Sequence, residues 1–135
     1  MTTSEVMSVL SQLPGATTVE TRRDGLWMAA PALDVRQMAA SLHQLGARLS
    51  TISAVALPAG ETEIIYHYTV NRQAINVKAQ TKNNTLASIT PVVPSANWIE
   101  REIHDLYSVN FVGHPNLARL IRPRQLEDGL FRQPK

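Results

Sequence analysis

Between Asn97 and Pro115 the chain reads NWIEREIHDLYSVNFVGHP, which gathers Glu100, Arg101, Glu102, His104, Asp105 and His114 into one short stretch. Glu102, Asp105 and His114 are the residue types of general acid–base chemistry, which works only if they converge in a concave pocket within hydrogen-bond reach. Histidines and carboxylates also bind metals, but His104 and His114 are too far apart in sequence to be read as a pair, and no third ligand suggests itself. Elsewhere the chain has no glycine-rich phosphate loop, no G-x-S-x-G elbow, no zinc-protease helix and no dinucleotide fingerprint. With no cysteine, it holds no disulfide, thiolate-bound zinc or cysteine-ligated iron–sulfur cluster, and no thiol nucleophile.

A helix must position these residues. Asn97 stands three residues before Glu100, the spacing of a capping box in which the acid reaches back to the cap. At about 100° per residue, Trp98, Leu106, Ile99, Ile103 and Tyr107 form one apolar arc, with Arg101 and His104 opposite and Asp105 at its border. Glu102 falls inside the arc. A carboxylate there needs a cation or hydrogen-bond donors, so Glu102, with or without Asp105, is expected to pair with an arginine from the C-terminal tail or from another chain. Simpler roles exist for the others. Arg101 and Asp105 fit a weak i, i+4 surface pair, His104 a solvated side chain, Trp98 a core or interface plug, and His114 a turn residue.

Upstream, Val6, Val9, Leu10 and Leu13 predict a short helix ended by Pro14-Gly15. TTVET and LWMAA flank RRDG and predict a β-hairpin. Asp34 caps a second helix with the stripe Val35, Met38, Ala39, Leu42 and Leu45, closed by Gly46. RLSTISAVAL, ETEIIYHYTV and AINVKAQ read as strands, with Ile64, Tyr66, Tyr68 and Val70 on one face of the second. TLASITPVV reads as a last strand broken at Pro91. Glu61 and Glu63 are expected in solvent beside a turn, and His67 is read as structural. The order α-β-β-α-β-β-β(-β)-α predicts a two-layer α+β domain with a mixed or mostly antiparallel sheet. Residues 1–112 are expected to form this single domain, with residues 113–135 an extended tail expected to order only by docking on a partner.

The 135 residues fit one core-bearing domain. Thirteen cations against eleven anions is a mild excess. It is concentrated in the tail, where Arg119, Arg122, Arg124, Arg132 and Lys135 face Glu127 and Asp128. A basic nucleic-acid module is one reading of that tail, but no aromatic platform is interleaved with the arginines. Leu117, Leu120, Ile121, Leu126, Leu130 and Phe131 give the tail more apolar surface than water suits. No apolar run approaches a membrane span, and the first residues lack the charge and apolar stretch of a signal peptide.

The run Glu100-Arg101-Glu102, two residues, Asp105-Leu106-Tyr107, six residues, His114, then Leu120-Ile121 resembles the signature of the 30-kDa subunit family of respiratory complex I, the bacterial NADH-quinone oxidoreductase. The lead-in PSANW and the trailing EDGLF look most like the version found with membrane-bound [NiFe] hydrogenases and formate hydrogenlyase-type complexes. Two positions depart from the pattern. Ala118 stands where a basic residue or proline is usual, and Ser108 stands where a glycine usually follows the aromatic residue.

The resemblance implies an α+β peripheral subunit of the hydrophilic arm, with no catalysis of its own. Its partners would be a large catalytic subunit, of 49-kDa or hydrogenase type, and a small iron–sulfur subunit. Flavin, iron–sulfur and nickel–iron centres would reside in those partners, with no cofactor or metal in this chain. The expected place is the cytoplasmic side of the inner membrane, reached through the complex, with no nucleic acid bound. The interface or signature residues would be Trp98, Glu100, Arg101, Glu102, Asp105, Tyr107, His114, Arg119 and Arg122. The rival is a small acid–base enzyme using Glu102, Asp105 and His114.

Overall fold

A computed structural model of the chain describes residues 3–58 and 60–115. Its elements are α1 (Thr3–Ser11), β1 (Val19–Arg22), β2 (Gly25–Ala29), α2 (Val35–Gln44), β3 (Arg48–Ala56), β4 (Thr62–Val70), β5 (Gln73–Gln80), β6 (Thr85–Ala87), a 3-10 turn (Pro94–Ala96), α3 (Asn97–Tyr107) and β7 (Asn110–Val112). The first five strands form one sheet in the order β1-β2-β5-β4-β3. Only β2 and β5 run parallel in it, so the sheet is mixed and mostly antiparallel.

Period-two alternation gives this sheet one buried face. The register sets Leu26 beside Ile75, Ile75 beside Tyr68, Val77 beside Tyr66, and Tyr66 beside Ile52. All of them are buried in the same cluster as Val6 and Leu10 of α1, Met38 and Leu42 of α2, and Ile103 of α3. Each such side chain contributes roughly 1.5–3 kcal/mol on burial. Helices and sheet therefore make two layers over a single core. The opposite sheet face carries Trp27, with Arg22 and Lys78 at 5.0 and 5.3 Å from its ring centre. Across it, Ser53 Oγ lies 3.0 Å from His67 Nε2, and His67 Nδ1 lies 2.8 Å from Asn76 Oδ1. These two contacts tie β3, β4 and β5 together.

Local chemistry explains the boundaries. Asp34 caps α2 by accepting from the Gln37 amide at 3.1 Å. The helix closes with Ala47 N–H on the Leu42 carbonyl and Gly46 N–H on the His43 carbonyl, Gly46 having φ +82°. That pair of bonds is a Schellman motif. The two-residue loop Asn71-Arg72 has both φ values positive, at 47° and 65°, which suits a tight hairpin between β4 and β5.

The run TLASITPVV departs from expectation. Only Thr85–Ala87 is a strand. It pairs in parallel with β7, a strand that no local pattern announces, and the two form a separate small sheet. Beyond Ala87 the backbone leaves strand geometry, and the Ile89 amide with the Ser88 and Thr90 hydroxyls turns to a side chain of α3.

Candidate docking site

Glu100 supplies that side chain. It is fully buried, at 0% exposure. Its Oε1 accepts from Ser88 Oγ and Thr90 Oγ1, each at 2.6 Å, and its Oε2 accepts from the Ile89 amide at 2.9 Å. Glu100 is therefore not a helix cap. The 3-10 turn runs directly into α3, whose N-terminus has no side-chain cap, and the Asn97 side chain does not serve as one. Three donors in the core make this burial tolerable, and they turn α3 so that Glu100 and Ile103 face inward.

The Tyr66 and Tyr68 rings lie in the same interior, and their hydroxyls have no hydrogen-bond partner among the described residues. Burial, and after it the Glu100 carboxylate, pushes both phenols well above the ordinary tyrosine pKa.

The same turn of α3 places Trp98 outside, at 58% exposure, with Glu102 also exposed. This corrects the expected interior position of Glu102, which has no burial penalty to offset; the tail arginine expected to pair with it lies outside the described residues. Asp105 is the buried acid of the pair, and Arg101 and Tyr107 are half-buried. Arg119 and Arg122, with residues 116–135 generally, lie outside the described residues.

His114 is more than a turn residue. Its side chain is buried, its Nε2 donates to the Asn97 carbonyl at 3.3 Å and stands 3.9 Å from Glu100 Oε1. The packed region thus continues past Val112. On the other side of the same segment, Arg36 of α2 donates from Nε to the Ser88 carbonyl and from Nη2 to the Val112 carbonyl, both at 2.8 Å.

The far end of α3 is pinned as well. His104, expected in solvent, donates from Nδ1 to the Val109 carbonyl at 2.9 Å. Ser108 takes the left-handed conformation, φ +58°, which explains why a glycine is usual there in the resembling family. Asn84 Nδ2 donates to the Tyr107 and Ser108 carbonyls at 3.0 and 2.9 Å. Glu61 in turn accepts from the amides of Asn83 and Asn84 and from Thr81 Oγ1. The expectation of Glu61 as a free surface acid is therefore corrected.

Glu102, Asp105 and His114 do not form a catalytic set. One is exposed, one is buried, and the third is turned toward Glu100. An open groove of about 840 Å³ is lined by residues such as Leu33, Asp34, Lys82, Leu86 and Val112 and includes none of the three. Among the described residues, no three His, Asp or Glu side chains are grouped to hold a metal. None of the described helices is long and apolar enough to cross a membrane.

Ser88, Thr90, Asn84 and Arg36 are the site residues that sequence reasoning misses. Their partners are distant in the chain, and nothing in local pattern marks a hydroxyl or amide as the mate of a core carboxylate.

Residues 28–133 match the family model described as Respiratory-chain NADH dehydrogenase, 30 Kd subunit. The chain belongs to this family. The C subunit of NADH-quinone oxidoreductase from Chelativorans sp. (strain BNC1) is 47% identical over 75 residues, 52% of this chain and 38% of that protein. The C/D subunit of NADH-quinone oxidoreductase from Methylococcus capsulatus (strain ATCC 33009 / NCIMB 11132 / Bath) is 33% identical over 122 residues, 77% of this chain and 21% of that protein. The chain thus spans well under two thirds of these relatives. The trypsin-resistant fragment (1–134) of Nqo5 shares the fold, with TM-score 0.60 and 24% identity over 76% of this chain and 90% of the fragment. In this 30-kDa family member, Glu100 and His114 face each other in the interior, joining α3 to the residues that follow β7.

Proposed function

We propose that this chain is a non-catalytic peripheral subunit of a complex-I-like NADH-quinone oxidoreductase, docking on the large catalytic subunit and supporting assembly of the electron-transfer chain. The observation that carries this reading is the division of α3. Its buried Glu100 is bound by three donors of residues 88–90, while the tryptophan two positions earlier is left in solvent. An exposed tryptophan on a helix fixed at both ends is suited to be an interface anchor. The C/D relatives support a large-subunit partner, because this chain matches only 21% of one of them, as a domain adjoining another subunit's sequence would. Flavin, iron–sulfur or nickel–iron centres reside in the partners on this reading, and the small iron–sulfur subunit is a neighbour. The complex holds the chain at the cytoplasmic side of the inner membrane.

Purification of the tagged full chain from native membranes tests this. Stoichiometric recovery of the large subunit is expected, and a chain that runs alone in mild detergent overturns the reading. The PSANW and EDGLF segments favour a second reading, the hydrogenase branch. A neighbouring reading frame with two Cys-x-x-Cys pairs for nickel would select it.

A further inference from the structure

We infer that Arg36, a residue of α2 far from the signature in sequence, is a positioning residue for docking: it fixes the backbone of residues 112–115 and with it the placement of His114. This rests on the docking role proposed above.

β6 and β7 are parallel neighbours, with Ala87 beside Val112, and their ladder runs out at Ser88 and Val112. Carbonyls at such an end need donors. The Ser88 amide takes the Val112 carbonyl at 2.8 Å. The planar fork of Arg36 then spans both strand ends, one arm on each carbonyl. A guanidinium holds two acceptors in fixed geometry, which a lysine ammonium cannot reproduce.

The next residue shows what this placement determines. Gly113 has φ +85°, and Arg36 Nη2 occupies the space a Cβ would require. A side chain at Gly113 would displace the guanidinium from the Val112 carbonyl and would itself be strained at this φ. The bend returns His114 N–H to the Phe111 carbonyl at 3.2 Å and sends the imidazole to Asn97 and Glu100. Ser88 joins the two halves of the device. Its carbonyl accepts from Arg36 and its hydroxyl donates to Glu100. Arg36 therefore holds the Val112 carbonyl while Asn97 and Glu100 receive the His114 imidazole, with Gly113 between the two residues in sequence.

The test uses the full chain with R36A, R36K, G113A, R36A/G113A and, as a control for general destabilisation, L10A in α1. Three readouts are taken at a temperature where every variant is folded: thermal midpoint, hydrogen exchange of residues 112–115, and retention by the large subunit. R36A is expected to speed exchange of that segment at least tenfold and to cut retention at least tenfold, with R36K intermediate. L10A should lower the midpoint without changing either local readout. G113A should lower the midpoint more in the parent than in the R36A background, because removing the guanidinium frees the Cβ space.

Additive midpoint shifts for the double variant overturn the steric part of the inference. Faster exchange with unchanged retention overturns the docking part, as does loss of retention by L10A in proportion to its midpoint. If the parent chain itself is not retained, the docking reading fails on its own, while exchange and midpoint still decide whether Arg36 holds residues 112–115.

Discussion

Replacement of Glu100 by alanine should be among the most damaging single changes in the described domain. It leaves the hydroxyls of Ser88 and Thr90 and the amide of Ile89 in the core without their acceptor. An orphaned buried donor costs about 1–3 kcal/mol. The hydroxyls can rotate toward other acceptors, whereas the amide cannot, so the sum settles near ~4 kcal/mol. That is a large part of the 5–15 kcal/mol by which domains are ordinarily stable. With a urea slope of about 2 kcal/mol/M, the midpoint should fall by roughly 2 M. Glu100→Gln behaves differently. Its remaining oxygen can keep the Ile89 amide, and its amide can donate to the two hydroxyl oxygens while their hydrogens turn to other acceptors, so the loss is smaller than for alanine, about 1–2 kcal/mol. Urea unfolding of the full chain, followed by circular dichroism, measures both. A Glu100→Ala variant within about 1 kcal/mol of the parent would refute the buried-acceptor account.

Tyr66 and Tyr68 make the fold sensitive to alkali. Their folded pKa lies above the unfolded value, so between the two the unfolded state binds fewer protons, and stability falls as pH rises beyond about 10, by up to ~1.4 kcal/mol per pH unit for each phenol. Thermal melts from pH 7 to 11 should show this decline, and Tyr68→Phe should make it shallower. Ser108→Gly removes a side chain from a left-handed residue at φ +58° and should raise stability by up to about 1 kcal/mol, read from urea midpoints. Asp34→Ala removes the cap on the Gln37 amide and should lower stability by about 1 kcal/mol in the same assay.

The sheet and second helix were legible because their signals are local. The alternation of Ile64, Tyr66, Tyr68 and Val70 and the cap-to-glycine frame of α2 recur as expected. The orientation of α3 was not legible. The apolar arc containing Trp98 predicted an inward side, but a carboxylate with three donors can enter a core, and then Trp98 turns outward. Helical periodicity has no access to Ser88 and Thr90, so it assigned the misplaced acid to Glu102 when the buried acids are Glu100 and Asp105. The short strand β7 was missed for a similar reason. Residues 110–112 form a strand only because Thr85–Ala87 supplies the pairing partner.

The most direct test of the docking account is retention of the full chain by the large subunit, measured for the parent and for Trp98→Ala. Trp98 is 58% exposed, so its loss should change the free domain's stability by less than about 0.5 kcal/mol. Truncating an interface tryptophan costs about 2 kcal/mol or more of binding, which is roughly 30-fold in affinity. An unchanged thermal midpoint with retention lost is the predicted result. Full retention of a folded Trp98→Ala chain would contradict docking through this face of α3.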